Sequence, residues 1–254
     1  MNKTLLGMRK AQERNILPAI DLFPQFEYNG RTIDAAVFGS RGYNENVSEM
    51  RKRYFHSRDL PDVTVKPLTT AESLAVAGYD FRNLAKPTIF DPVWLQAGHA
   101  LRTKEGVWIN PLKDDKGNLI MEDKELEQCL GKENRIHGIY LFDDDTSFVP
   151  YDSFKRGVQE HGDFLEGGLA RGLVHTTDKN ATTLSSIANN DEYPNGVRVG
   201  GFDFVERPTL RVIGLCSDRL FDDNRLDVYG DWLDSYYGVA FGGLVSGEAG
   251  AQKI

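Results

Sequence analysis

An apolar run that ends in clustered carboxylates is the stretch of this sequence best equipped for chemistry. Ile139-Tyr140-Leu141-Phe142 leads into Asp143-Asp144-Asp145 and then Thr146-Ser147-Phe148. A strand there would deliver a carboxylate pair, Asp143 and Asp145, to a fixed position. A carboxylate needs that fixity, and a metal beside it, to attack phosphorus. A second suggestive stretch is Val37-Phe38-Gly39-Ser40-Arg41-Gly42, followed by Arg51-Lys52-Arg53, Tyr54-Phe55 and Arg58. A strand, a Gly-containing turn and then a helix aim backbone N–H groups at phosphate. Gly39, Ser40, Arg41 and Gly42 are therefore candidate nucleotide or phosphate contacts, and the basic run with its aromatics suits single-stranded nucleic acid. The turn lacks the Gly-Lys-Ser/Thr of a P-loop and the G-x-G-x-x-G of a dinucleotide site. Its plainer reading is a turn before a solvated helix face, with Glu45 and Glu49 as i,i+4 partners.

Residues 139–148 resemble the first motif of haloacid-dehalogenase-type phosphatases. The resemblance implies Asp143 as the phosphoryl-accepting nucleophile, Asp145 as general acid, and Mg²⁺ beside them. Gly230-Asp231-Trp232-Leu233-Asp234 is similar to a later metal-binding motif of that family, which implies Asp143 and Asp231 as metal ligands. The sequence departs from the family at Ser147, where Thr or Val is usual. No Lys lies between Lys179 and Lys253, and only 13 residues separate Ser217 from Asp231. Aspartates satisfying loop backbone groups at a strand end account for the same residues without catalysis.

Other chemistries find less support. The five histidines, His56, His99, His137, His161 and His175, form neither HxxxH nor HExxH, so no metal pair lies on one helix turn. His161, Asp163 and Glu166 adjoin Gly167-Gly168-Leu169-Ala170-Arg171-Gly172, a Gly-rich turn that could nest an anion or simply break helices. There is no G-x-S-x-G elbow. From Asp114 or Asp143 the spacing fails the calcium loop, the twelfth position from Asp143 being Phe154.

Two cysteines 87 positions apart exclude a disulfide framework and a zinc knuckle and fit a reducing compartment. The first ten residues meet charge before an apolar core can develop, so no signal peptide is read. The longest charge-free stretch, 235–247, is too short and Gly-rich to span a bilayer. A soluble, cytoplasmic protein is expected, with no membrane partner. Residues 1–127 carry 18 basic and 18 acidic groups, while residues 128–254 carry 12 and 20, so the whole formal charge of −8 sits in the second half. That acidity disfavours duplex nucleic acid as a partner.

The patterning gives the elements that would position these residues. Helices are expected over 4–17, 46–56 and 123–130, and one starting at Asp91-Pro92. Thr69 and Glu72 have capping-box spacing, with Gly78 as the stop. Asn29-Gly30 marks a type I′ hairpin between strands at 25–28 and 31–38. A second hairpin would pair 107–109 with 119–121 across the Asp114–Asn118 turn. Strands are further expected at 63–65, 136–142, 197–204, 209–215, 226–229 and 236–244. Glycines at 157, 162, 167, 168 and 172 should divide 151–189 into two or three short helices.

The expected class is α+β: an antiparallel or mixed sheet with short helices packed on it, in one domain over 1–254. The polar stretch 189–196 is the candidate subdivision, and 246–254 a mobile tail. No catalytic signature is complete, and the last strand alternates aromatic and small residues. Those two features favour a non-catalytic binding or assembly protein that self-associates as a homo-oligomer. The alternatives are a Mg²⁺-dependent phosphoryl hydrolase using Asp143 and Asp145, and a nucleotide or phosphate binder at Gly39–Gly42.

Overall fold

In the computed structural model the described residues are 19–28, 31–38, 63–83, 94–142, 145–188, 191, 193–217, 224–232 and 239–247. Twelve strands run in chain order: β1 (Ala19–Tyr28), β2 (Arg31–Phe38), β3 (Val63–Pro67), β4 (Trp94–Arg102), β5 (Gly106–Ile109), β6 (Tyr140–Leu141), β7 (Ser147–Pro150), β8 (Gly157–Gln159), β9 (Val197–Gly200), β10 (Thr209–Ser217), β11 (Leu226–Trp232) and β12 (Val239–Gly247). The helices are α1 (Thr70–Asn83), α2 (Asp123–Leu130), α3 (His161–Glu166) and α4 (Gly168–Leu173). The protein is α+β with a mixed sheet, and the chain divides into two compact units, residues 1–68 with 234–254, and residues 69–233. The stretch 189–196 lies inside the second unit.

The first unit orders its strands β1-β2-β12-β3, all antiparallel. Tyr28 pairs with Arg31, so the expected hairpin strands are in register around a two-residue link. The link itself, Asn29-Gly30, lies outside the described residues, as do the helices expected over 4–17 and 46–56. β1 bulges between Phe23 and Phe26. Pro24, which has no N–H for the ladder, sits in that irregularity. β12 runs three residues past the expected strand end and takes in Ser246 and Gly247, paired with Thr64 and Val63.

The second unit is a curled eight-stranded sheet, β6-β7-β5-β4-β10-β11-β9-β8. Its pairings are antiparallel except β11 with β9. Alternation along the strands separates two faces. Val107, Ile109, Ser147 and Val149 are fully buried on one of them. There α4 approaches so closely that a Cβ at Gly172 would stand 2.3 Å from the Val149 side chain. Trp108 and Phe148 occupy the other face, with Leu101, under Leu126 of α2.

Several expectations are corrected. The segment after Asp91-Pro92 is a strand, not a helix: β4 is hydrogen-bonded on both sides, to β5 and β10, and this ladder overrides local capping signals. Gly78 does not stop α1, which continues to Asn83 packed against Ser186. The capping box itself forms as expected, Thr69 N donating to Glu72 Oε2 at 2.9 Å and Glu72 N to Thr69 Oγ1 at 3.2 Å. Residues 119–121 make no strand, because β5 pairs with β4 and β7 instead. The Asp114 turn is closed by a single bridge between Lys113 and Leu119. The strand expected over 136–142 shrinks to Tyr140–Leu141, since His137 and Gly138 both have positive φ, 46° and 91°. The strand expected over 197–204 ends at Gly200, before Gly201 with φ 71°.

Candidate functional site

The turn that carries Asp145 is held by one asparagine. Asn110 follows β5 with φ 49°, a left-handed conformation that Asn tolerates better than most residues. Its Oδ1 accepts from Thr70 Oγ1 at 2.8 Å and from Thr70 N at 3.3 Å, at the start of α1. Its Nδ2 donates to the Asp145 carbonyl at 3.1 Å, and its own carbonyl accepts from Thr146 Oγ1 at 2.7 Å. Gly98 of β4 leaves room for this corner, because a Cβ there would lie 2.2 Å from Thr70 Oγ1. Asp145 also has positive φ, 60°. Asp143, its expected partner, lies outside the described residues.

Immediately beyond this turn Ser147 meets His175. The Ser147 hydroxyl is fully buried, donates to the Gly172 carbonyl at 3.0 Å, and lies 3.2 Å from His175 Nδ1. Its single proton is taken by a carbonyl that cannot donate, so Nδ1 must supply the hydrogen of the second bond. The serine is a staple between β7 and α4.

Asp231, the other expected metal ligand, stands elsewhere. It belongs to β11, four strand positions from β7 in the sheet order. Its Oδ1 receives Arg102 Nη2 at 3.1 Å and Arg211 Nε at 2.8 Å. Arg102 is 6% exposed and also donates from Nη1 to the Gly201 carbonyl at 2.9 Å. The structure does not bring Asp231 to the Asp145 turn. Nearby, Tyr151 Oη lies 3.0 Å from each of the Thr103 and Asp203 carbonyl oxygens. Burial pushes its phenol up to about 12; the Asp203 carboxylate adds to this, while Arg102 and Arg156 oppose it.

Arg171, suggested by the sequence as part of an anion nest, is buried at 8% exposure and consumed by carbonyls. It donates to Glu166, Lys179 and His137 backbone oxygens. Burial lowers its pKa, with the Glu166 charge acting in the opposite sense. Gly39, Ser40, Arg41 and Gly42 lie outside the described residues. Among the described residues no group of three His, Cys, Asp or Glu could hold a metal ion.

A feature the sequence reading missed lies on the opposite face, between α2 and the β4–β5 hairpin. It is a small cleft of about 70 Å³. Trp108, Phe148, Leu126 and Leu130 form its apolar part, and Lys104, Glu105, Asp123 and Glu127 its edge. The Trp108 and Phe148 rings are tilted by 49° with centroids 4.9 Å apart. The buried indole N–H of Trp108 has no acceptor among the described residues. The signal for it was present: Leu126 and Leu130, four apart on the expected helix, share one helix face. No family model, curated protein or solved structure matches the chain. Among the described residues no helix is long and apolar enough to cross a membrane.

Proposed function

We propose that this chain is a non-catalytic binding protein. The observation that carries the reading is how its reactive groups are engaged. The Ser147 hydroxyl is enclosed between Gly172 and His175, and the Asp231 carboxylate is shared by two guanidinium groups. A nucleophile or metal ligand needs a lone pair free to reach substrate or metal. The Ser147 hydroxyl is committed to the framework, and one oxygen of the Asp231 carboxylate is held by Arg102 and Arg211. The charged side chains of Lys104, Glu105 and Glu127 instead stand exposed on the surface, where a partner can reach them.

The reading is tested against its strongest competitor, Mg²⁺-dependent hydrolysis at Asp143 and Asp145. A generic phosphomonoester incubated with the protein and millimolar Mg²⁺ should give no turnover above the blank. Turnover that needs Mg²⁺ and disappears in Asp143→Asn, with the melting temperature unchanged, would replace the binding reading with the phosphatase one.

A further inference from the structure

We propose that the outer edge of β8 pairs with β8 of a second copy of this chain, antiparallel about a two-fold axis at Val158. The proposal names a partner for the binding reading above and rests on that reading.

Backbone geometry supplies the edge. β8 ends the strand order of the second unit, and β9 is its single ladder partner among the described residues. The Gln159 carbonyl is turned toward β9, where a Cβ at Gly196 would stand 2.3 Å from it. The N–H and C=O groups of successive strand residues point to opposite sides, so those of Val158 are turned away from β9. Residues 155–158 are exposed, Val158 at 54%, and a Cβ at Gly157 would meet nothing within 4 Å. An open donor and acceptor on one residue are a template for another strand.

The sequence around Val158 says which strand. It reads Lys155-Arg156-Gly157-Val158-Gln159-Glu160. With Val158 opposite its own counterpart, the copies exchange both N–H···O=C bonds there. The exposed valines then meet, and Arg156 of each copy comes within reach of Glu160 of the other, so the edge complements itself in charge. Glu160 is exposed, has an extended backbone (φ −66°, ψ 153°) and makes no ion pair among the described residues. Arg156 holds Asp203 through Nη1 at 2.8 Å and has further N–H donors for a second carboxylate. The ladder is short, because Gln159 Nε2 holds the Lys155 carbonyl at 3.0 Å and the chain turns at Gly157, φ 84°. Its contact belongs to the weak, transient class, below about 1,200 Å².

Sedimentation equilibrium of the full chain from micromolar to millimolar concentration tests the pairing. The wild-type protein should pass from monomer to dimer across that range. Arg156→Glu and Glu160→Arg each set like charges against one another twice, and each should weaken the dimer about tenfold. An equimolar mixture of the two variants sets every Glu against an Arg and should associate about as tightly as wild type. Melting curves check that both variants fold. Without any substitution, the Val158 amide resonance should shift with concentration while that of Gln159, turned toward β9, stays in place. A wild-type monomer at millimolar concentration, wild-type affinity kept by both variants, a mixture no tighter than its components, or a Val158 amide indifferent to concentration would each overturn the proposal. The phosphomonoester assay is independent of these outcomes and decides the broader binding reading by itself.

Discussion

The two faces of the second unit's sheet dispose of their polar groups in opposite ways. Beneath α1 and α4, Thr70 bonds to Asn110 and Ser147 to the Gly172 carbonyl, and the Arg171 guanidinium caps three further carbonyls. Beneath α2 the packing is aromatic, and among the described residues the Trp108 indole N–H has no acceptor and the charges around it make no ion pair. Groups locked into a framework are unavailable to ligands, and removing them destabilises the protein. Groups left open contribute little to folding and are free to recognise something. Of the candidates the sequence offered, Arg171 and Asp231 are described with their side chains engaged by the framework.

That contrast can be broken most forcibly at Arg171. Arg171→Met should cost about 4 kcal/mol, because it strips three carbonyls of a buried cationic donor. In a chain of this length that lowers the melting temperature by roughly 10 °C. A loss below a quarter of that would mean the fork is not a framework element. Asn110→Ala should cost about 3 kcal/mol, combining lost hydrogen bonds with a left-handed backbone that Ala resists. Asn110→Gly should cost about 1 kcal/mol less, since only the hydrogen bonds go. If Gly proved as harmful as Ala, the backbone part of this account would fall.

Tyr151 offers a pH test. Its folded pKa, about 12, lies above the ordinary phenol value of 10. Below pH 10 both folded and unfolded chains hold the proton, and its contribution is complete. Between pH 10 and 12 the unfolded chain releases the proton first, so stability should fall as pH rises. Tyr151→Phe should flatten that part of the stability curve; an identical slope in both proteins would refute the assignment. The smallest effect belongs to the open side. Glu127→Gln should leave the melting temperature within experimental error, and a drop of several degrees would blur the contrast between the faces.

What was legible in the sequence follows the same division. The Thr69–Glu72 capping box and the helix over 123–130 are local, each set by residues within a few positions, and both formed as read. The Asp114 turn is equally local: Asp114 accepts from Asn118 Nδ2 at 3.0 Å, Asn118 N at 2.7 Å and Lys116 N at 2.9 Å, bonds that hold its carboxyl below the usual value. β4 was misread as a helix because its strand character comes from two neighbours, one of them more than a hundred residues away in sequence. The site was harder still. Asn110 gains its importance from Thr70 and Asp145, 40 and 35 positions distant, and no spacing announces that meeting. Asp145 was picked out for its neighbours in sequence, whereas its surroundings are set by β5 and α1.

Arg171 also decides where this chain will accept foreign sequence. Its guanidinium draws together carbonyls at 137, 166 and 179, so the segments bearing them must keep their lengths for all to arrive at one group. An affinity tag spliced between residues 176 and 180 would pull the Lys179 carbonyl away and loosen the others with it. The Asp114 turn imposes no such condition, for its exposed hydrogen bonds begin and end within residues 114–118 and the Lys113–Leu119 bridge closes beneath them. An epitope or fluorescent reporter inserted at Lys116-Gly117 would be carried as an outgrowth of the surface, with the framework intact.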